Sequence, residues 1–156
     1  MIKVQREDFD VGAELDALAR GNHRVGGVAS FVGLVRDSVG SGADAKPVGA
    51  MTLEHYPGMT EKKLAEIELE AHRRWPLAAS LIIHRYGRLE PGDRIVLVAT
   101  ASAHREAALA ACHFLIDWLK TEAPFWKSEA TSAGERWVEA RAEDDTARER
   151  WTRGSQ

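Results

Sequence analysis

The sequence predicts an α+β fold, and three observations carry that prediction. Segments with helical periodicity are mixed along one chain with short runs rich in β-branched and small residues. Several neighbouring strand candidates are joined by turns too short for the crossover that a parallel pair requires. Neither Gly-x-Gly-x-x-Gly nor the Gly-Lys-Ser/Thr ending of a phosphate loop is present, so a doubly wound nucleotide-binding sheet is not supported.

Taken in order, Ile2 to Gln5 reads as a short strand, and Val11 to Arg20 as a helix with Val11, Leu15 and Leu18 on one face. Gly26 to Val32 is rich in β-formers and small residues, the composition of a buried strand. Ser38 to Pro47, dominated by Gly, Ser, Ala and Asp, reads as a mobile loop. Ala50 to His55 is a strand and Pro57-Gly58 a turn. Thr60 suits the N-cap of a helix running through Trp75, with Leu64, Ile67 and Ala71 inward and Pro76 as its stop. Ser80 to Arg85 and Arg94 to Ala101 form a hairpin, because Pro91-Gly92 fits the central pair of a type II turn.

From Arg105 to Glu122 there is no Gly or Pro, and Ala108, Ala111, Leu115, Trp118 and Leu119 recur at helical spacing. Pro124 ends that helix, since its ring removes a donor and clashes with the preceding turn. Phe125 to Glu129 and Arg136 to Ala140, joined by a turn at Gly134, are the last strands. Residues 1–141 thus read as one domain, and 142–156 as a charged tail, poor in large apolar residues apart from Trp151, that orders, if at all, against a partner.

Composition narrows the function. With 156 residues, 44% hydrophobic and 29% charged, the chain has the balance of a single globular domain. No apolar run approaches the ~20 residues of a membrane span, and Met1 to Glu7 lacks the apolar core of a secretory signal, so a cytoplasmic location is the default. A net charge of -3 gives no reason to expect nucleic acid as a partner. The single cysteine, Cys112, has no second thiol for a disulfide, a redox pair or a thiolate cluster, and mid-helix it reads as a small buried hydrophobe. The six histidines show no metal-binding spacing, so neither a metal nor another cofactor is expected. Ser102 precedes His104 without the Gly-x-Ser-x-Gly elbow of a hydrolase.

What remains is a set of cations at element ends: Arg36, His104-Arg105, Lys120, Lys127 and Arg141. Taken alone, Lys120 reads first as a capping cation, favoured by roughly 0.3 to 1 kcal/mol at the unpaired carbonyls of its helix end. Lys127, flanked by Phe125 and Trp126, reads as a partly desolvated amine fit to act as nucleophile or proton carrier. Arg36 and Arg105 offer planar forks for phosphate or carboxylate, and Arg105 stands near a helix N-terminus, where free donors attract anions. Singly, each reads as a surface salt bridge; together they read equally well as an anion site.

The strings Phe31-Val32-Gly33-Leu34-Val35-Arg36, Leu53 to Met59, Ile83-His84-Arg85-Tyr86-Gly87, Pro91-Gly92-Asp93, Ser102-Ala103-His104-Arg105 and Leu119 to Lys127 closely resemble the large catalytic subunit of molybdopterin synthase, the MoaE family. The likeness runs from about Gly26 to Arg141. It implies an α/β hammerhead-type fold with additional antiparallel β structure. It also implies a homodimer within a heterotetramer, in which each subunit holds a small ubiquitin-like sulfur carrier of the MoaD family with a thiocarboxylated C-terminus. The implied reaction moves two sulfurs from that carrier to cyclic pyranopterin monophosphate (precursor Z), giving the dithiolene of molybdopterin.

By the same resemblance, Lys120 and Lys127 are catalytic, while Arg36, His104, Arg105 and Arg141 bind the pterin phosphate. Leu34 and Ser128 replace the lysine and arginine frequent at those places, so no substrate contact is carried over to them. The loop from Ser38 is expected to close over the pterin. As the lone mid-helix thiol, Cys112 is a poor sulfur donor, so sulfur must arrive on another molecule. Two rival classes stand beside this reading: a noncatalytic module that binds a ubiquitin-like partner through the C-terminal strands and tail, and a phosphate-binding enzyme of unrelated chemistry. Loss of sulfur transfer on removing the lysines separates them.

Overall fold

The computed structural model describes residues 1–40, 42–131, 134–138 and 149–151. In these, strand β1 (Ile2–Gln5) leads to helix α1 (Val11–Ala19), whose first turn is capped by Asp10, its Oδ1 accepting the Ala13 N–H at 2.9 Å. Strand β2 (Gly27–Leu34) follows, then a small excursion of β3 (Ser38–Val39), a 3-10 turn (Gly42–Asp44) and β4 (Lys46–Pro47). Next come β5 (Ala50–His55), helix α2 (Met59–Arg74), β6 (Leu77–Arg85), β7 (Gly87–Leu89) and β8 (Arg94–Ser102). Helix α3 (Arg105–Glu122), β9 (Phe125–Thr131) and β10 (Gly134–Val138) complete the order.

The strands make two four-stranded sheets and one small ribbon. The first sheet has the order β1-β6-β8-β2, with β1 parallel to β6 and the other pairs antiparallel. Alternation along β6 and β8 sorts its side chains between two faces. Leu81, Ile83, Leu97 and Ala99 pack with Phe9 under α1, whereas Ile82 and Val98 pack under α2 and α3 with Leu64, Ile67, Phe114 and Leu115. The second sheet, β10-β9-β5-β7, closes a smaller core of Val35, Met51, Leu53 and Leu89. The expected α+β class is therefore observed, with helices layered on a mainly antiparallel sheet and a second antiparallel sheet added.

Several local expectations change in the folded chain. The Pro91-Gly92 turn is present, with Gly92 at φ 91° where a side chain would be strained, but the connector it belongs to also contains β7, which leaves the first sheet to pair with β5. The segment expected to be a mobile loop forms the β3–β4 ribbon, and its base is closed by the Val48 N–H donating to the Asp37 carbonyl at 2.8 Å. Thr60 is not the N-cap of α2. Gly58 holds that place, its N–H donating to Glu61 Oε2 at 2.7 Å, and the Thr60 hydroxyl instead accepts from the Tyr56 N–H and donates to the Pro124 carbonyl.

The strand expected to be buried is an edge. Only Ala29 of β2 is buried, while Val28, Phe31 and Leu34 are 40%, 42% and 52% exposed. Sequence composition does not separate a central strand from an edge strand that leaves apolar side chains exposed. Trp151, expected to order against a partner, packs on its own chain. Its ring lies edge-on to Trp75 and Phe114, and its indole N–H donates to the buried Asp117 carboxylate at 2.7 Å. No helix among the described residues is long and apolar enough to cross a membrane.

Candidate functional site

The predicted cations fall at two distant places. Arg36 follows the end of β2 and shares a small pocket of about 60 Å³ with Leu34, Met51, Lys127 and Glu129. Strand alternation explains the convergence. Lys127 lies opposite Leu53 and Glu129 opposite Met51, so both side chains emerge on the inner face of the second sheet, toward Arg36. Ser128 falls on the other face, which is why its departure from the family pattern leaves this pocket untouched.

Lys127 is not flanked by aromatic surfaces as expected. Trp126 points to the opposite face, and Phe125 stacks on His84 with ring centroids 3.6 Å apart. The neighbour that matters is Glu129, whose Oε1 lies 2.8 Å from Lys127 Nζ with only a tenth of its side chain exposed. Two oppositely charged groups held on one strand face give the amine a fixed direction. The sequence reading passed over Glu129, although its spacing of two from Lys127 in a strand was the available signal.

His84 is the platform beneath this strand. Burial pushes its pKa down to about 4, so the ring is neutral, and its Nδ1–H donates to the Arg85 carbonyl at 2.9 Å, which fixes the tautomer. Through Phe125 it anchors the first residue after the Pro124 break. Lys120 stands before that break, exposed on the last turn of α3, and Asp117 and Thr121 beside it are tied down, the latter donating to the Asp117 carbonyl at 3.0 Å.

His104 and Arg105 occupy the other end of α3, as N-cap and first helical residue, and both are exposed. The start of β2 lies against this junction. The Gly26 N–H donates to the Ser102 carbonyl at 3.0 Å, and a Cβ at Gly26 would stand 2.2 Å from the Ala103 oxygen, so only glycine permits the approach.

Within one chain these residues do not meet. Arg105 and Lys120 are separated by fifteen helical steps, about 22 Å. The register Gly27↔Ser102 and Leu34↔Arg94 puts Arg36 more than about 20 Å from the His104–Arg105 junction. The cations that together read as an anion site therefore divide within one chain into an Arg36–Lys127–Glu129 group near one end of β2 and a His104–Arg105 group at the other. Arg141 lies outside the described residues.

Other chemistries gain no support from the geometry. Cys112 is buried, its thiol pushed up to about 11 by that burial, with Sγ 3.9 Å from the Val98 carbonyl. Among the described residues no three His, Cys, Asp or Glu side chains converge on a point that could hold a metal ion. A wider cleft of about 670 Å³ between α1, α2 and β6 contains none of the predicted site residues.

Residues 4–122 match the sequence model of a family described as MoaE protein. The chain belongs to the MoaE family. This MoaE chain is 57% identical over 150 residues to the molybdopterin synthase catalytic subunit of Ralstonia nicotianae, covering 96% of this chain and 83% of that one. It is 56% identical to the Pseudomonas aeruginosa subunit of the same name, covering 96% and 97% of the two chains. Among solved structures, the MoaE protein from Burkholderia ambifaria superposes with a TM-score of 0.82 at 54% identity over 97% of both chains. Molybdopterin synthase from Staphylococcus aureus does so at 0.78 and 31% identity, over 88% of this chain and 96% of that one. The MoaE chain thus has the family's fold across both of its sheets.

Proposed function

We propose that this chain is the catalytic subunit of a molybdopterin synthase, taking sulfur from the thiocarboxylated C-terminus of a small ubiquitin-like carrier and installing two sulfurs on cyclic pyranopterin monophosphate. The observation that carries the reading is a lysine held on β9 by a buried carboxylate, beside an arginine, in a protein whose one thiol is buried and kept protonated. Such a site can dock and protonate, but it has no sulfur of its own to give. Each carrier brings a single sulfur and departs as a carboxylate, so one product consumes two carriers. The relatives' shared name, over nearly the whole chain, points the same way.

Lys120 meets the carrier's C-terminus and Lys127, steadied by Glu129, the substrate; the arginines and His104 hold the phosphate. Because one chain separates its cations by about 20 Å, the complete site needs a second copy. The unpaired edge of β2, with Val28, Phe31 and Leu34 exposed, is where that copy fits. Antiparallel pairing of two β2 edges lays the Arg36 end of one strand against the His104–Arg105 end of the other. Arg141 is assigned to the same phosphate-binding group, residues 142–156 are the tail of a single domain, and the cytoplasm is the compartment.

The test is incubation with thiocarboxylated carrier and cyclic pyranopterin monophosphate, followed by detection of a dithiolene product. The Lys120→Ala protein is expected to lose nearly all sulfur transfer while still binding the carrier. Undiminished product formation by that variant would remove Lys120 from the chemistry.

A further inference from the structure

The corner between α3 and β9 separates the two lysines, and side chains from other elements hold it. The Phe125 N–H donates to the Ala123 carbonyl at 2.8 Å, closing a three-residue turn over Pro124, which has no N–H of its own to give. The Thr60 hydroxyl, from α2, donates to the Pro124 carbonyl at 3.2 Å. On the far side of the proline the His84 ring, from β6, stacks on the Phe125 ring with 15° between their planes.

Phe125 shares a strand face with Lys127 and Glu129, because residues two apart point the same way. The stack therefore lies about 7 Å along the strand from the lysine, on the lysine's own face. His55 stands opposite Phe125 across the β5–β9 ladder with its ring 4.2 Å from that of Tyr86, so this end of the face is filled with rings. A buried leucine would occupy the place of His84 without giving up the hydration of a polar group. What the imidazole adds is a flat surface held in one plane by the Nδ1–H bond to the Arg85 carbonyl.

We infer that His84 is a positioning residue for sulfur transfer, its ring fixing Phe125 and thereby the direction of Lys127 relative to Lys120; the inference rests on the sulfur-transfer reading. One lysine meets the carrier's C-terminus and the other the substrate, so the corner sets how closely the two reacting atoms approach. They react from a separation of about 3 to 3.5 Å, and a misplacement of about 1 Å costs about 100-fold in rate. In the same reading the arginines and His104 grip the phosphate, so slackening the corner slows the chemical step and leaves affinity in place.

The experiment measures single-turnover dithiolene formation by the full chain with thiocarboxylated carrier and cyclic pyranopterin monophosphate, with carrier Kd by calorimetry and the thermal midpoint alongside. His84→Leu, which fills the space without a flat face, is expected to lower the rate about 30- to 100-fold, with carrier Kd and the half-saturating pterin concentration within about twofold of wild type. His84→Phe is expected to come back to within about fivefold of wild type. Both variants take the imidazole donor from the Arg85 carbonyl, so the comparison isolates the flat ring. In a Lys127→Ala background, His84→Leu is expected to cost less than about threefold further, because no amine is left to direct. Should His84→Leu not fold, Thr60→Val releases the other side of the corner and is expected to lower the rate about 3- to 10-fold at unchanged carrier Kd; a wild-type rate there overturns the inference. Equal rates for the His84→Leu and His84→Phe proteins overturn it too, as does the full loss repeated in the Lys127→Ala background, which would make His84 a purely structural residue. Absence of product with the unsubstituted chain overturns the sulfur-transfer reading and the inference with it.

Discussion

At the scale of the residue, the chain shows how a side chain's task depends on which face of a strand carries it. Lys127 and Glu129 share a face, and the carboxylate is buried, so removing its charge leaves the amine without its orienting partner. Glu129→Gln is expected to lower single-turnover sulfur transfer by about 10- to 100-fold with carrier affinity unchanged; a loss confined to carrier binding would contradict the assigned role. His84 yields a pH prediction. Its folded pKa of about 4 lies below the ordinary 6.5, so between those values the unfolded chain binds a proton that the folded chain does not. Stability therefore rises with pH across that window and falls as pH drops toward 4, by about 3 kcal/mol in all for this one ring. His84→Phe, which keeps a ring against Phe125, is expected to flatten the dependence of unfolding free energy on pH between those values, as read by urea titration.

At the scale of the element, α3 and its surroundings decide where chemistry can sit. Its periodicity, its limits at Arg105 and Glu122 and its stop before Pro124 are all plain in the sequence, because an uninterrupted amphipathic run and a proline are local signals. The start of α2 is a different case. Thr60 has the residue type of an N-cap, yet its buried hydroxyl ties the Tyr56 amide to the Pro124 carbonyl and so joins α2 to the turn between the two lysines. Local propensity gave way to a bond spanning sixty-four residues. Thr60→Val, which keeps the shape and removes the hydroxyl, is expected to cost about 1 to 2 kcal/mol in chemical denaturation, because a part-buried amide and a part-buried carbonyl each lose a partner. Cost near zero would mean that water or a shifted backbone replaces it.

At the scale of the whole molecule, the separation of the cations is the governing fact. A rigid helix of eighteen residues holds the His104–Arg105 group and Lys120 apart, so in the proposed function the complete site takes residues from two copies. Mixing two inactive variants tests this directly. Lys120→Ala and Arg105→Ala proteins, refolded together so that subunits exchange, are expected to recover about a quarter of wild-type activity, since half the dimers are mixed and one of their two sites carries neither substitution. No recovery would place both residues in one subunit's site. Phe31→Glu at the β2 edge is expected to give a monomer by light scattering and to lose activity with both lysines in place.

The sequence by itself determined the α+β class, the limits of α1 and α3, the inward faces of the helices, and the lysines and arginines that carry the family likeness. These are local properties, written in periodicity, proline and residue type. Only the tertiary structure decided that β2 is an edge, that β7 leaves its hairpin for the second sheet, that Glu129 rather than an aromatic pair accompanies Lys127, and that the two cationic groups lie apart. Each of these depends on which distant strand lies alongside, and a pairing between segments far apart in the chain leaves no mark on the residues that make it.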